Sequence, residues 1–277
     1  MFKILRKTAE TGLVTIGYPE TPPVLSTRYR GAPRFDFAGW QDPSAAAEAC
    51  PTGAIAVTAG TNTGRVSVDY GRCIYCGECA EADPSVQMTG HFELATRNRD
   101  DLVITADYGV NGDGVELTNL QQGSSQQNLE QRVKRRIHEV LGRSLAIREV
   151  DAGSCNGCEV EITALNNPIY DAERLGIHFV ASPRHADMLL VTGPVTRNME
   201  LALLKTWNAT ADPKVVVAVG ACGISGGIFG ANYATVGGVN RVLHVDVYIP
   251  GCPPRPQALL HGILLAVGRM EEKGLPR

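Results

Sequence analysis

Three cysteines at two-residue intervals, in the stretch RCIYCGECAEADP (residues 72–84), constrain this chain more than any other feature. Thiolates at that spacing wrap a loop around one face of an iron–sulfur cubane, and the full bacterial ligand run reads C-x2-C-x2-C-x3-C-P. Here Asp83-Pro84 stands where the closing Cys-Pro belongs, while Cys50-Pro51, in EACPTGAIAV (residues 48–57), precedes the triplet. When two such runs stand in tandem, the Cys-Pro of each serves the cluster of the other. Cys50 then joins Cys73, Cys76 and Cys79 in one complete four-thiolate site, expected to hold a [4Fe–4S] cluster. Counting back from Cys50 reaches Ala46, Pro43 and Trp40, the places of a first triplet. With Asp83 these are the four ligand positions of a second cluster, and none is cysteine. One site is whole, and its twin is lost whole. Structural zinc also takes four cysteines, although zinc ribbons favour two separated C-x2-C pairs.

The remaining cysteines are Cys155, Cys158, Cys222 and Cys252, so the eight divide into two sets of four without remainder. Disulfides are not expected. A chain of 277 residues that is 44% hydrophobic can bury a core without covalent staples. The N-terminus, MFKILRKTAETGLV, has neither the continuous apolar segment nor the small-residue cleavage site of a secretory signal, which points to the cytoplasm. The longest apolar run, ALLHGILLAV (258–267), is interrupted by His261 and is too short to span a bilayer. A net charge of −3 supplies no overall field toward nucleic acid, so no such partner is expected.

Residues 106–131, rich in Gly, Asn, Gln and Ser, read mostly as a linker. Its end merges into a predicted helix from Asn128 to Ser144. There Leu129, Val133, Ile137, Val140 and Leu141 recur at helical spacing among Arg132, Lys134, Arg135, Arg136 and Arg143. That basic face is either simply solvated or docks on an acidic partner or lipid headgroups. Beyond it LAIREVD (145–151), IHFVAS, DMLLVTG (187–193), KVVVAVG (214–220) and VDVYIPG (245–251) read as strands. NMELALLKTWNAT and RPQALLHGILLAVGRMEEK read as helices. The alternation predicts a mostly parallel sheet with helices on both faces.

Cys155 and Cys158 follow the first of these strands, Cys222 the fourth and Cys252 the fifth. All four should gather at the carboxyl edge, where open parallel sheets bind ligands. Adjacent glycines suit a second cluster, because a residue without Cβ lets backbone N–H groups approach sulfur. Two features of GACGISGGIFG (220–230) are decoys. Its glycines match neither G-x-G-x-x-G nor the P-loop, and G-x-S-x-G places Ser225 past the strand rather than on an elbow.

The segments CNGCEVEI, DAERLGIHFVASPRHADMLLVTGPVTRNME, GACGISGGIFG and VDVYIPGCPPRPQALLHG together resemble the small subunit of membrane-bound, energy-converting (group 4, formate-hydrogenlyase-like) [NiFe] hydrogenases. That family also contains the complex I 20 kDa subunit. The resemblance covers residues 145–277 almost continuously. The part before it, from MFKILRKTAETG through YPETPP and YRGAP to PTGAI after Cys50, resembles the ferredoxin-type subunit of the same complexes, so the chain looks like a fusion of the two.

The resemblance implies an α/β fold class in four parts: an N-terminal docking extension (1–35), a bacterial-type ferredoxin-like α+β domain (36–105), the linker and basic helix (106–144), and a doubly wound, flavodoxin-like, mostly parallel sheet domain (145–277). It implies two [4Fe–4S] clusters, one on Cys50, Cys73, Cys76 and Cys79, the other on Cys155, Cys158, Cys222 and Cys252, and no catalytic residue in this chain. The second cluster would face the active site of a [NiFe]-hydrogenase-type large subunit, with Glu161 and SPRHAD (182–187) near that interface. The first would relay electrons to a further redox subunit or ferredoxin. Membrane-anchor subunits would hold the assembly on the cytoplasmic face of the inner membrane, with this chain peripheral. Cys155-Asn156-Gly157-Cys158 follows the C-x-G-C of hydrogenase-like relatives rather than the adjacent cysteines of the complex I subunit. That favours proton/H2 interconversion over reduction of quinone or another acceptor by a complex without nickel.

Overall fold

The computed structural model describes residues 2–40, 42–59, 63–111, 114–123 and 144–276. The basic helix expected from Asn128 to Ser144 lies outside them, apart from Ser144 itself. The first helix, α1 (Phe2–Thr11), buries none of its side chains. The chain then folds back onto the C-terminal half. The Ile16 N–H donates to the Ile169 carbonyl at 2.9 Å, Arg174 donates to the Ile16 carbonyl at 2.9 Å, and Tyr18 is buried.

Strand β1 (Pro33–Phe35) pairs antiparallel with β4 (Val86–Met88), and the short helices α2 (Ser44–Ala49) and α3 (Glu78–Ala82) pack on each other. Strands β2 (Ile55–Ala59), β3 (Thr63–Asp69), β5 (Val103–Asn111) and β6 (Gly114–Gln122) form an antiparallel sheet in that order. This sheet corrects the linker expected over 106–131, because β5 and β6 carry that stretch as far as Gln122. The signal lay in alternation rather than composition. Leu102, Ile104, Ala106 and Tyr108 are buried at every second position, with half-exposed residues between them. The Tyr108 hydroxyl donates to the Phe37 carbonyl at 2.9 Å. Strand β6 lies at the sheet edge, and its side chains from 116 to 122 are exposed or half-exposed, so polar residues suffice there and imitate a loop.

In the C-terminal half, β7 (Leu145–Asp151), β8 (Ile177–Phe179), β9 (Met188–Thr192), β10 (Val215–Val219) and β11 (Val247–Ile249) form a five-stranded sheet. It is parallel throughout, in the order β8-β7-β9-β10-β11. This is the flavodoxin-like order, with its topological switch between β7 and β9. The remaining helices are α4 (Gly157–Ala164), α5 (Arg197–Ala209), α6 (Gly220–Ser225) and α7 (Pro256–Ala266). Residues on one strand face, among them Ile147, Met188, Leu190, Val217 and Ile249, pack with Ile162 of α4 and with α7, which is buried along its whole length.

The other strand face carries Val150, Leu189, Val191, Val216, Ala218 and Tyr248, which meet Leu203 of α5. That core does not stop at the sheet. It runs on without a break into Phe35, Trp40, Tyr70 and Ile104 of the N-terminal half. Two further ties cross the same seam. Thr96 and Tyr248 exchange backbone hydrogen bonds of 3.1 and 2.8 Å at the edge of β11, and Glu93 accepts from the Tyr18 hydroxyl at 2.9 Å and from Lys273 at 2.5 Å. Among the described residues no helix is long and apolar enough to cross a membrane.

Because the halves share a core, a cavity made in one should weaken both. Ile104→Ala, at a position 1% exposed, is expected to cost about 2–5 kcal/mol and to lower a single cooperative transition in calorimetry. Two transitions, only one of them shifted, would show that the halves fold apart.

Candidate metal centres

Cys50 caps the C-terminus of α2, Cys73 and Cys76 stand in the loop that follows β3, and Cys79 lies in α3. The packing of α2 on α3 therefore delivers the Cys-Pro cysteine to the triplet across more than twenty intervening residues. All four cysteines line one cavity, walled by apolar residues that include Phe35, Ile55 and Val68. The Ala54 N–H points at the Cys50 sulfur at 3.2 Å. Burial pushes the Cys50 thiol up, but hydrogen bonds from Thr52, Ile55 and Ala54 outweigh it and leave the thiol below its usual range. Burial pushes Cys73 far up, against the N–H of Tyr75. Cys79 rises to about 11, through burial and then the charges of Cys50 and Cys76. Such thiols cannot all ionise side by side unless positive charge stands among them, which iron supplies. Donor type, N–H···S contact and cavity all fit a four-iron cluster.

Two of the four positions expected for a second ligand set are in direct contact. The Trp40 indole N–H donates to Asp83 Oδ2 at 2.6 Å, and both residues are buried, as is Ala46. Trp40 stacks on Phe35 at 5.3 Å between ring centres and meets Phe37 edge-on at 5.9 Å. Asp83 Oδ1 accepts the Ser85 N–H at 2.8 Å. An aromatic ring and one buried hydrogen bond thus fill the place where ligands would converge.

The second cysteine set sits at the carboxyl edge of the parallel sheet, as its order requires. Cys155 and Cys158 flank the turn into α4 beyond β7, Cys222 lies in α6 beyond β10, and Cys252 lies three residues beyond β11. Asn156, at φ +69, makes the left-handed turn that begins α4, a conformation Asn tolerates better than most residues. Gly220 lets the elements close in. At φ +77, a Cβ there would fall 2.9 Å from the Cys158 sulfur and 3.3 Å from the Gly251 carbonyl. The Ala221 N–H donates to that same carbonyl at 2.8 Å, which ties the Cys222 helix to the Cys252 loop. Burial, then Glu159 and the other three thiols, pushes Cys158 far up. Cys222 rises to about 11 through burial and then Cys252 and Cys155. Unlike the first set, this one opens to the surface, since Cys155 and Cys252 are exposed.

Other residues singled out from the sequence fall differently. Glu161 is half-buried, and burial raises its carboxyl against the opposing pull of Arg255. SPRHAD does not sit near the second set. It enters β9 at its amino end, where Asp187 Oδ2 accepts the Ala146 N–H at 3.0 Å, so strand direction puts it at the opposite edge from the cysteines. The Ser225 hydroxyl lies 3.0 Å from the carbonyls of both Ala221 and Gly71, a strut toward the first cysteine loop. Tyr75, in the middle of C-I-Y-C, lines the first cavity and was not singled out; the signal available was an aromatic residue between two ligands.

Comparison with known proteins bears on the second set. The family described as NADH ubiquinone oxidoreductase, 20 Kd subunit, matches residues 155–266, a span that contains Cys155, Cys158, Cys222 and Cys252. Formate hydrogenlyase subunit 7 of Escherichia coli (strain K12) is 50% identical over 141 residues, 51% of this chain and 55% of that protein. The probable membrane-bound hydrogenase subunit mbhJ of Pyrococcus furiosus is 48% identical over 148 residues, 53% of this chain and 87% of its own length. The chain belongs to the 20 kDa subunit family of NADH ubiquinone oxidoreductase. Another similar protein, an NADH-quinone oxidoreductase subunit of Carboxydothermus hydrogenoformans, is 49% identical over 108 residues, 39% of this chain and 65% of that one. This member of the 20 kDa family thus spans about half the length of the formate hydrogenlyase relative. The named relatives are subunits of oxidoreductase complexes.

The buried pair at the lost ligand positions can be tested without reference to any cluster. Asp83→Ala would strand the Trp40 N–H among aromatic rings and is expected to cost about 1–3 kcal/mol. The urea midpoint should fall while iron bound per chain stays the same.

Proposed function

We propose that this chain is an iron–sulfur electron-transfer subunit of a membrane-associated [NiFe]-hydrogenase-type complex. Cys50, Cys73, Cys76 and Cys79 would hold one [4Fe–4S] cluster, and Cys155, Cys158, Cys222 and Cys252 the other. A bound cluster of this kind takes up and releases one electron at a time, at a potential tuned by burial and hydrogen bonds to sulfur. The observation that carries the reading is the pairing of two complete four-thiol sets across one shared core, one enclosed and one open. In this reading the protein keeps both sites in fixed register between partners and carries out no bond chemistry of its own.

Exposure supports an orientation of the two sites. The open set is bordered in sequence by the exposed apolar residues Val160, Ile228 and Phe229, which suit a protein partner there. That partner would be the large subunit, where protons and H2 interconvert. The enclosed set would exchange electrons with a further redox subunit or ferredoxin. The uncovered helix α1, with Phe2 and Leu5 exposed beside Lys3 and Arg6, suits docking against membrane-anchor subunits, and would hold a cytoplasmic chain peripherally at the inner membrane face.

The alternative is the equivalent role in a quinone or other acceptor oxidoreductase without nickel, supported by the likeness to the NADH-quinone oxidoreductase subunit of Carboxydothermus hydrogenoformans. The spacing Cys155-Asn156-Gly157-Cys158 favours the hydrogenase reading. Anaerobically purified protein is expected to carry about eight irons and eight sulfides per chain, and Cys50→Ala or Cys252→Ala should each remove about four. Retention of all the iron in both variants would refute the assignment. Hydrogen evolution from a reduced dye by the co-purified complex separates the two readings, being present in the first and absent in the second.

A further inference from the structure

One residue stands where the two cysteine sets approach each other. Tyr75 lies between Cys73 and Cys76, at φ +58, a left-handed conformation uncommon for a bulky side chain. Its ring lines the first cavity together with all four cysteines of that set and packs against the core shared by the two halves. Its phenol oxygen is buried and has no hydrogen-bond partner. A buried hydroxyl without an acceptor is costly, and a site that keeps one usually supplies the acceptor from a group bound there.

The surroundings narrow what that acceptor is. The neighbouring Tyr70 hydroxyl donates to the Pro33 carbonyl at 2.8 Å and makes no hydrogen bond with the Tyr75 phenol. The phenol is buried among Cys73, Tyr29, Tyr70 and Cys252, all close enough to act on it, with Cys73 the strongest of them after burial itself. The loops that carry the two sets are held close at this point. Gly71 approaches Ile224 so nearly that a Cβ would fall 2.8 Å from its Cγ2, and the Ser225 hydroxyl lies 3.0 Å from the Gly71 carbonyl. The Arg255 guanidinium sits 4.5 Å from the centre of the Tyr29 ring.

We propose that Tyr75 is a positioning residue at the seam between the two sites, and that its hydroxyl donates a hydrogen bond to a sulfur atom of the cluster held by Cys50, Cys73, Cys76 and Cys79. The inference rests on the two-cluster reading above. A donor to sulfur stabilises the reduced, more negative state, so it raises the reduction potential of that cluster. The ring fills space, whereas the hydroxyl sets the potential. Tyr75→Phe separates these roles because it removes one oxygen and keeps the shape.

The test is a redox titration followed by EPR on the anaerobically purified full chain, wild type against Tyr75→Phe, with the two signals assigned from Cys50→Ala and Cys252→Ala. The expected result is unchanged iron and sulfide per chain, a lowered midpoint for the first cluster, and a midpoint for the second that stays in place. Deuterium exchange should add an exchangeable coupling to the first signal in wild type that Tyr75→Phe lacks. A first-cluster midpoint unmoved by the substitution, or a shift confined to the second, would overturn the inference about Tyr75 alone. Wild-type protein with no first-cluster signal would overturn both it and the two-cluster reading.

Discussion

Thiols crowded together away from water resist losing their protons, and the more buried members of both cysteine sets show that resistance. Burial raises Cys73, Cys79, Cys158 and Cys222, and neighbouring thiols raise each of them further. Only Cys50, where Thr52, Ala54 and Ile55 direct hydrogen bonds at its sulfur, falls below the ordinary range. A cage of this kind is poorly suited to being empty and well suited to a cationic core that turns mutual repulsion into ligation.

What holds the two cages in register is ordinary packing. The parallel sheet buries one face under α4 and α7 and lends the other to the N-terminal half, so Leu189 and Val191 belong to the same core as Trp40 and Ile104. The first site cannot drift from the second without opening that core. Electron transfer over a fixed gap asks for this kind of rigidity, which a tethered pair of domains lacks.

Trp40 and Asp83 stand at two of the positions that the sequence pattern marks as those of an absent ligand set, and there the indole N–H finds the carboxylate. The apolar part of the pair is stacked on Phe35, and the polar part is satisfied internally. The neighbouring helices therefore keep the spacing that the first site needs.

The residue pattern alone determined the parallel sheet and the edge at which the second cysteine set collects, because strand–helix alternation is a local property. Three matters were settled only by tertiary structure. Strands β5 and β6 were hidden because an edge strand facing water can be built from Asn, Gln and Gly, and composition then imitates a linker. SPRHAD was misplaced because strand direction, which decides the edge a loop occupies, is invisible in a motif. The shared core and the place of Tyr75 depend on contacts between residues far apart in the chain, and nothing in a single stretch of sequence records which distant surface it will meet.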